Sequence, residues 1–99
     1  MKNNLYQNLK YSKKEEIITR LYQADNVEII RISSSNQTTD WMMDVRFEIA
    51  FLLEGEAIIE FLDRKEEIKK GDMILINPHE KHRVINQSAN GLWLAIYFT

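Results

Sequence analysis

From Val27 onward, apolar residues come in short runs broken by turn-forming residues. The runs are "VEIIRI" (27–32), "FEIAFLLE" (47–54), "EAIIEFL" (56–62), "EEIKK" (66–70), "MILI" (73–76), "HRVIN" (82–86) and "LWLAIYF" (92–98). The breaks fall at Gly55, "DRK" (63–65), Gly71-Asp72, Asn77-Pro78 and "NQSANG" (86–91), while "SSSNQTTD" (33–40) reads as a polar loop. β-Branched and aromatic residues fit a pleated, half-buried surface, and many short strands at this spacing predict a β-sandwich or small barrel. The N-terminal part follows a different period. After a polar stretch anchored by Leu5, Tyr6, Leu9 and Tyr11 comes "SKKEEIITRLYQ". Ser12 and Glu15 have the spacing of a capping box, and Ile17, Ile18, Leu21 and Tyr22 fall on one helical face. The expectation is a short amphipathic helix from about Lys13 to Gln23.

Two runs are apolar on both faces. In 47–54, Phe47, Ile49, Phe51 and Leu53 alternate with a set that includes Ala50 and Leu52; in the closing run, Leu92, Leu94, Ile96 and Phe98 alternate with Trp93, Ala95 and Tyr97. Ile58, between Glu56 and Glu60, breaks polar alternation in the same way. A strand hiding one face alternates with polar residues. Burial on both sides in so small a chain points to a covered outer face, and a homodimer is the expectation. The alternative is a thicker monomeric sandwich with the N-terminal helix laid over the sheet.

Composition narrows the function classes. Ninety-nine residues make one domain, 1–99, with an arm and helix over 1–26 and the barrel over 27–99. The charge of −2 is scattered and forms no basic stripe, which gives nucleic-acid binding little support. With no cysteine there is no disulfide framework, thiolate metal site or cysteine nucleophile. Neither a signal-peptide core nor a membrane-length apolar stretch is present, so the expected setting is the cytoplasm, without membrane contact. The three glycines are isolated, so no phosphate-binding loop is present. No local motif suggests a serine-histidine-acid arrangement. "DRKEEIKK" (63–70) reads as a solvated hairpin and Trp93 as core.

Two spaced motifs carry a resemblance. Glu48 is followed seven residues later by Gly55, and Gly71 precedes a Pro78 loop, His82 eleven residues on, and Asn86 four beyond. From Trp41 to Phe98 the chain resembles the cupin superfamily. "LLEGEA", "HRV" and "WLA" are similar to segments of small stand-alone single-domain cupins, to which no established reaction is attached. A second likeness is to the N-terminal sensor domains of arabinose-regulator-type transcription factors. The resemblance implies a mainly β fold: a double-stranded β-helix (cupin jelly-roll barrel), here with a short N-terminal helix and a central pocket. In metal-binding members, three histidines and one glutamate converge there on a metal ion.

This chain departs from that pattern. Met42 and Asp44 stand where the first motif has histidines, and His79 and His82 are the only histidines. One subunit therefore cannot supply three. As a strand, 41–50 would place Met42, Asp44, Arg46, Glu48 and Ala50 on one face, looking into the barrel by resemblance. Asp44, Glu48 and His82 could then form a one-histidine, two-carboxylate site for a divalent metal such as Mn, Fe, Ni or Zn. Alternatively, Arg46 pairs with the carboxylates, and Glu48 and His82 satisfy each other as a buried polar pair. Trp41 is either a rim residue that stacks on a ligand or an edge packing residue. His79 sits in a turn, where His79 also takes the place of a usual glycine, a position less tolerant of a left-handed backbone in any other residue. It is read as solvated, with a pocket-mouth role as the alternative.

Three functions remain open. The first is a small molecule bound in a pocket ringed by Trp41, Met42, Asp44, Arg46, Glu48 and His82, with a degraded metal site. The second is a metal-dependent enzyme, dioxygenase- or isomerase-like, using Asp44, Glu48 and His82. The third is a sensor or interaction module acting as a dimer. The first is favoured, because half the family's metal ligands are gone while the strand and loop framework is kept. No catalytic residue is assigned.

Overall fold

The computed structural model describes residues 1–99. It contains eight strands: β1 (Ile17–Ala24), β2 (Val27–Ser34), β3 (Phe47–Glu54), β4 (Glu56–Phe61), β5 (Lys65–Lys69), β6 (Met73–Ile76), β7 (His82–Asn86) and β8 (Gly91–Phe98). They form a five-stranded sheet of order β1-β2-β8-β3-β6 and a three-stranded sheet of order β5-β4-β7. All neighbours are antiparallel. The core lies between the sheets, where Leu52, Ile59, Phe61, Ile76 and Trp93 are almost fully buried.

The strands fall where the apolar runs placed them, but the expected helix is absent. Residues 17–24 form β1, paired with β2 from Ile17↔Ser33 to Ala24↔Val27. The barrel sheet thus begins at Ile17 and not at Val27. Three local features favour the strand. Ile17, Ile18, Thr19 and Tyr22 are better strand than helix formers. Asp25-Asn26 closes a two-residue hairpin turn. A helix of about eleven residues also has little stability of its own. The apolar spacing that imitates a helix comes from a β-bulge between Arg20 and Tyr22, which shifts the strand's phase. Ser12 does cap a turn, accepting a hydrogen bond from the Lys14 amide at 3.1 Å, but no helix follows.

The polar stretch after β2 is not a free loop. The amides of Thr39 and Met42 donate to the carbonyls of Val84 and His82, and the amides of His82 and Asn86 donate to those of Met42 and Gln37. Residues 37–42 therefore run as a strip along the outer edge of β7. They satisfy backbone groups that the edge would leave bare.

Register sorts the large sheet into two faces. Inside, one row is Glu28–Tyr97–Glu48–Ile76, the next Ile30–Ala95–Ala50–Ile74, and the next Ile32–Trp93–Leu52. Outside, the rows are Val27–Phe98–Phe47, Ile29–Ile96–Ile49–Leu75 and Arg31–Leu94–Phe51–Met73. The N-terminal arm crosses one end of this outer face. Arg31 Nη1 donates to the carbonyls of Leu5 and Gln7, and Ser33 Oγ to that of Lys10. No helix is long and apolar enough to cross a membrane.

Candidate functional site

A cavity of about 90 Å³ lies between the sheets. Its existence follows from one cross-strand pair. Ala50 of β3 and Ala95 of β8 sit opposite each other on the inner face, and neither reaches beyond Cβ. Ile30, Ile32, Ile76 and Trp93 wall the cavity from the large sheet, and Ile59 and Val84 from the small one. Glu16, Thr39 and Met42 line it and also border an open groove beside the N-terminal arm, so they mark the mouth. Ile18 lies on the same side, 61% exposed although its side chain also lines the cavity.

Glu48 and Tyr97 form the polar end. They are opposite each other across β3 and β8. Glu48 is 9% exposed, and burial pushes its carboxyl up to about 7. The Tyr97 hydroxyl, directed at the carboxyl, and the Arg46 charge pull downward, while the Asp44 charge adds to the rise. Burial and the nearby Glu48 carboxylate push the Tyr97 phenol upward, keeping it protonated as a donor. His82 lies behind Glu48 and is also buried. Its Nδ1 is 2.9 Å from the Glu80 carbonyl oxygen, which can only accept, so Nδ1 carries a proton and Nε2 faces Glu48. The Nε2–Oε1 separation is 3.7 Å, longer than a formed hydrogen bond.

Arg46 is fully engaged away from the cavity. It grips Asp44 through two parallel bonds, Nε–Oδ1 at 3.0 Å and Nη2–Oδ2 at 2.9 Å. Its Nη1 reaches Glu28 at 3.1 Å, and Glu28 also accepts from Arg20 at 2.9 Å. The guanidinium carbon lies 4.6 Å from the Tyr97 ring centroid. This chain of alternating charge holds the Asp44 and Glu28 carboxyls below their usual range, chiefly through hydrogen bonds from Arg46. It also raises the Arg46 guanidinium above its ordinary value.

The three expected metal ligands do not converge. Both Asp44 oxygens are held by Arg46, and no group of three or more His, Cys, Asp or Glu side chains lies close enough to hold a metal ion. Glu48 and His82 remain as two donors. Two protein donors fall short of the three or four that metal centres of this kind use. The residues present therefore do not fit the resident metal that the resemblance implied.

Of the residues expected to ring the pocket, Met42 and Glu48 line it. Asp44, Arg46 and His82 are not among the lining residues. Trp41 does not line the cavity and instead meets the Arg83 guanidinium, 4.9 Å from its ring centroid. His79 is exposed, with φ of 64° and its amide bound to the Asp44 carbonyl, so the usual glycine position does carry a left-handed backbone. Tyr97, Glu16 and Thr39 were not singled out from sequence. Tyr97 was hidden in a run apolar on both faces, and Glu16 in the supposed helix. A buried network fixes Glu16 at the mouth: Trp93 Nε1 donates to Asn86 Oδ1 at 2.9 Å, and Asn86 Nδ2 donates to Glu16 Oε2 at 3.0 Å. Burial raises the Glu16 carboxyl, and the bond from Asn86 partly offsets this.

The sequence profile of the cupin domain matches residues 39–97. No curated protein matches the chain. Among solved structures, a proposed mannose-6-phosphate isomerase of Ralstonia eutropha JMP134 is similar at 24% identity, with a TM-score of 0.89 over 99% of this chain and 97% of that one. A cupin superfamily protein of Desulfitobacterium hafniense DCB-2 is 21% identical, with a TM-score of 0.84 over 91% of this chain and 83% of that one. A conserved protein of unknown function from Streptococcus pyogenes is 16% identical, with a TM-score of 0.83 over 100% and 88%. At these identities the structural likeness speaks for the fold alone. With the profile match spanning more than half its length, the chain belongs to the cupin domain family.

Proposed function

We propose that this protein binds a small, uncharged and largely apolar molecule in the barrel cavity, without a resident metal ion. The observation that carries this reading is the lining: apolar walls with one buried carboxyl and one phenol, Glu48 and Tyr97, at the inner end, the Glu16 carboxyl at the mouth, and no lysine or arginine among the lining residues. Glu48 and Tyr97 would orient a single hydroxyl, carbonyl or amide group of the ligand. The cavity is well below the ~300 Å³ of ordinary ligand sites, so its enclosed part takes only a few non-hydrogen atoms. The remainder of a larger ligand would lie in the groove beyond Glu16, Thr39 and Met42. A phosphorylated sugar, the substrate class named for the Ralstonia protein, would need a cation for its phosphate. The Arg46 guanidinium, over the Tyr97 ring, is bound to Asp44 and Glu28.

Thermal-shift screening tests the reading, with Ala95→Leu as a cavity-filled control. Small phenols, lactones and alcohols are expected to raise the Tm of the parent and leave that of Ala95→Leu unmoved. Sugar phosphates and Mn²⁺, Fe²⁺, Ni²⁺ or Zn²⁺ are expected to move the Tm of neither protein. Near-stoichiometric metal in the untagged parent, lost from the Glu48→Ala, His82→Ala double variant, would instead establish a metal centre and overturn the proposal.

A further inference from the structure

The mouth of the cavity holds a carboxyl that the contacts assigned to Glu48 and Tyr97 leave unused. Its orientation is fixed from the core outward. The Trp93 indole can only donate, so Asn86 must turn its Oδ1 toward Trp93 Nε1. Asn86 Nδ2 then faces the other way, and both of its hydrogens are engaged. One goes to Glu16 Oε2 and one to the Gln37 carbonyl, each at 3.0 Å. Asn86 and Trp93 are both buried, so bulk water does not compete for these bonds. Any side chain at position 16 must therefore offer Asn86 an acceptor.

The second oxygen of Glu16 has no such partner. Asn86 is the one side chain that hydrogen-bonds this carboxyl, and no cation holds it. Lys14 borders the same groove without pairing with it. Glu16 lines both the enclosed cavity and the groove outside, so it stands where a ligand would pass from one to the other. The Thr39 hydroxyl, the other polar side chain shared by the two, is already engaged twice. It accepts from the Val84 amide and donates to the Asp40 carbonyl, each at 2.9 Å. Met42 adds only apolar surface there. An ionised carboxylate can only accept, and burial has already cost Glu16 part of its water, which is why its carboxyl is raised. What the mouth lacks is a donor.

We infer that Glu16 selects the ligand, accepting a hydrogen bond from a hydroxyl or amide N–H at the end opposite the group held by Glu48 and Tyr97. The ligand class narrows to an apolar body with a polar group at each end, the one at the mouth a donor. An ether, ester or ketone at that end would set oxygen against oxygen and is disfavoured. This selection rests on the ligand reading of the cavity, and the two fail in different ways.

Glu16→Gln tests it, because Asn86 dictates how the new amide lies. Asn86 Nδ2 takes the amide oxygen, so the amide NH₂ turns to the mouth and an accepting site becomes a donating one. The probes are straight-chain α,ω-diols of six to nine carbons and their dimethyl ethers, symmetric so that either end can enter first. Titration calorimetry at about pH 8, well above the usual carboxylate range, should show the parent preferring a diol to its diether. In Glu16→Gln that preference should fall about tenfold or more, the weight of one hydrogen bond to a charged group. Effects at the inner end and of apolar area cancel between the two proteins. Circular dichroism checks folding. Should Glu16→Gln unfold, the parent decides alone: the carboxyl ¹³C resonance of Glu16 should move with a diol and stay with its diether, and equal movement overturns the inference. An unchanged preference in folded Glu16→Gln overturns it too. So does binding of small phenols but of neither probe series, and in both cases the ligand reading stands. If neither phenols nor either series bind the parent, the ligand reading falls and this inference with it.

Discussion

Where a carboxyl is enclosed between Tyr97, His82 and apolar walls, protonation and folding are linked. Glu48 titrates near 7 in the folded chain against an ordinary value of 4.5. Its neutral form is thus favoured by folding. That stabilisation is complete below about pH 4.5 and is lost as pH rises through 7, a change of about 3 kcal/mol. Glu48→Gln keeps the shape and removes the titration. Its stability relative to the parent should therefore grow between about pH 5 and pH 8 in urea denaturation; parallel pH curves would contradict the argument. Asp44 and Glu28 act in the opposite sense, because their lowered values mean stability is lost only toward strongly acid pH. A second prediction concerns Gly91. A Cβ there would lie 2.3 Å from Ser34 Oγ, a buried hydroxyl with no hydrogen-bond partner. Gly91→Ala should lose about 1–3 kcal/mol. Ser34→Ala should gain about 1 kcal/mol by removing the unsatisfied hydroxyl. The double variant should recover most of the loss, since the next atoms stand at 3.7 Å. A double-mutant cycle by chemical denaturation reads this coupling. At this scale sequence showed residue types but not partners. Arg46 could be foreseen as an ion-pair former from its spacing to Asp44, whereas Tyr97 meets Glu48 only through the register of two strands distant in sequence.

Elements were legible where one signal dominated. The β-branched runs from Val27 onward gave strands at nearly their observed limits, because propensity, alternation and turn residues agree there. At 13–23 they disagreed. The bulge in β1 produced helix-like spacing, and the tertiary pairing with β2 decided the outcome. The 37–42 strip was missed for a related reason: its residues are polar, and only backbone bonds to β7 reveal it. The loop between β6 and β7 offers an element-scale prediction. His79 holds a left-handed backbone that side chains disfavour, at a strain of about 1–2 kcal/mol. His79→Gly relieves it but loosens the unfolded chain by a smaller amount, so stability should stay level or rise by under about 1 kcal/mol. His79→Val, β-branched, should fall by about 1–2 kcal/mol. Thermal melts of the two variants should therefore diverge; equal melts would show that the loop carries no such strain.

Across the whole molecule, the family's barrel was readable from two spaced motifs, and the apolar closing strand announced that both sheet faces are apolar. One face meets the small sheet around the cavity, and the other carries the aliphatic row Ile29–Ile96–Ile49–Leu75. Sequence could not foretell that the cavity would be set by Ala50 and Ala95, since their opposition depends on β3 and β8 being neighbours. The strip along β7 carries one more consequence. Thr39 and Met42 belong both to the strip and to the cavity mouth, and their amides are held by Val84 and His82. A ligand that enters by displacing them waits on the unzipping of a few backbone bonds. Its residence time is then governed by the door as well as by the grip of the walls, and modest contacts suffice for slow release. Hydrogen exchange should show this directly, with the Thr39, Met42 and His82 amides slowing when a ligand fills the cavity; unchanged exchange there would mean that entry bypasses the strip.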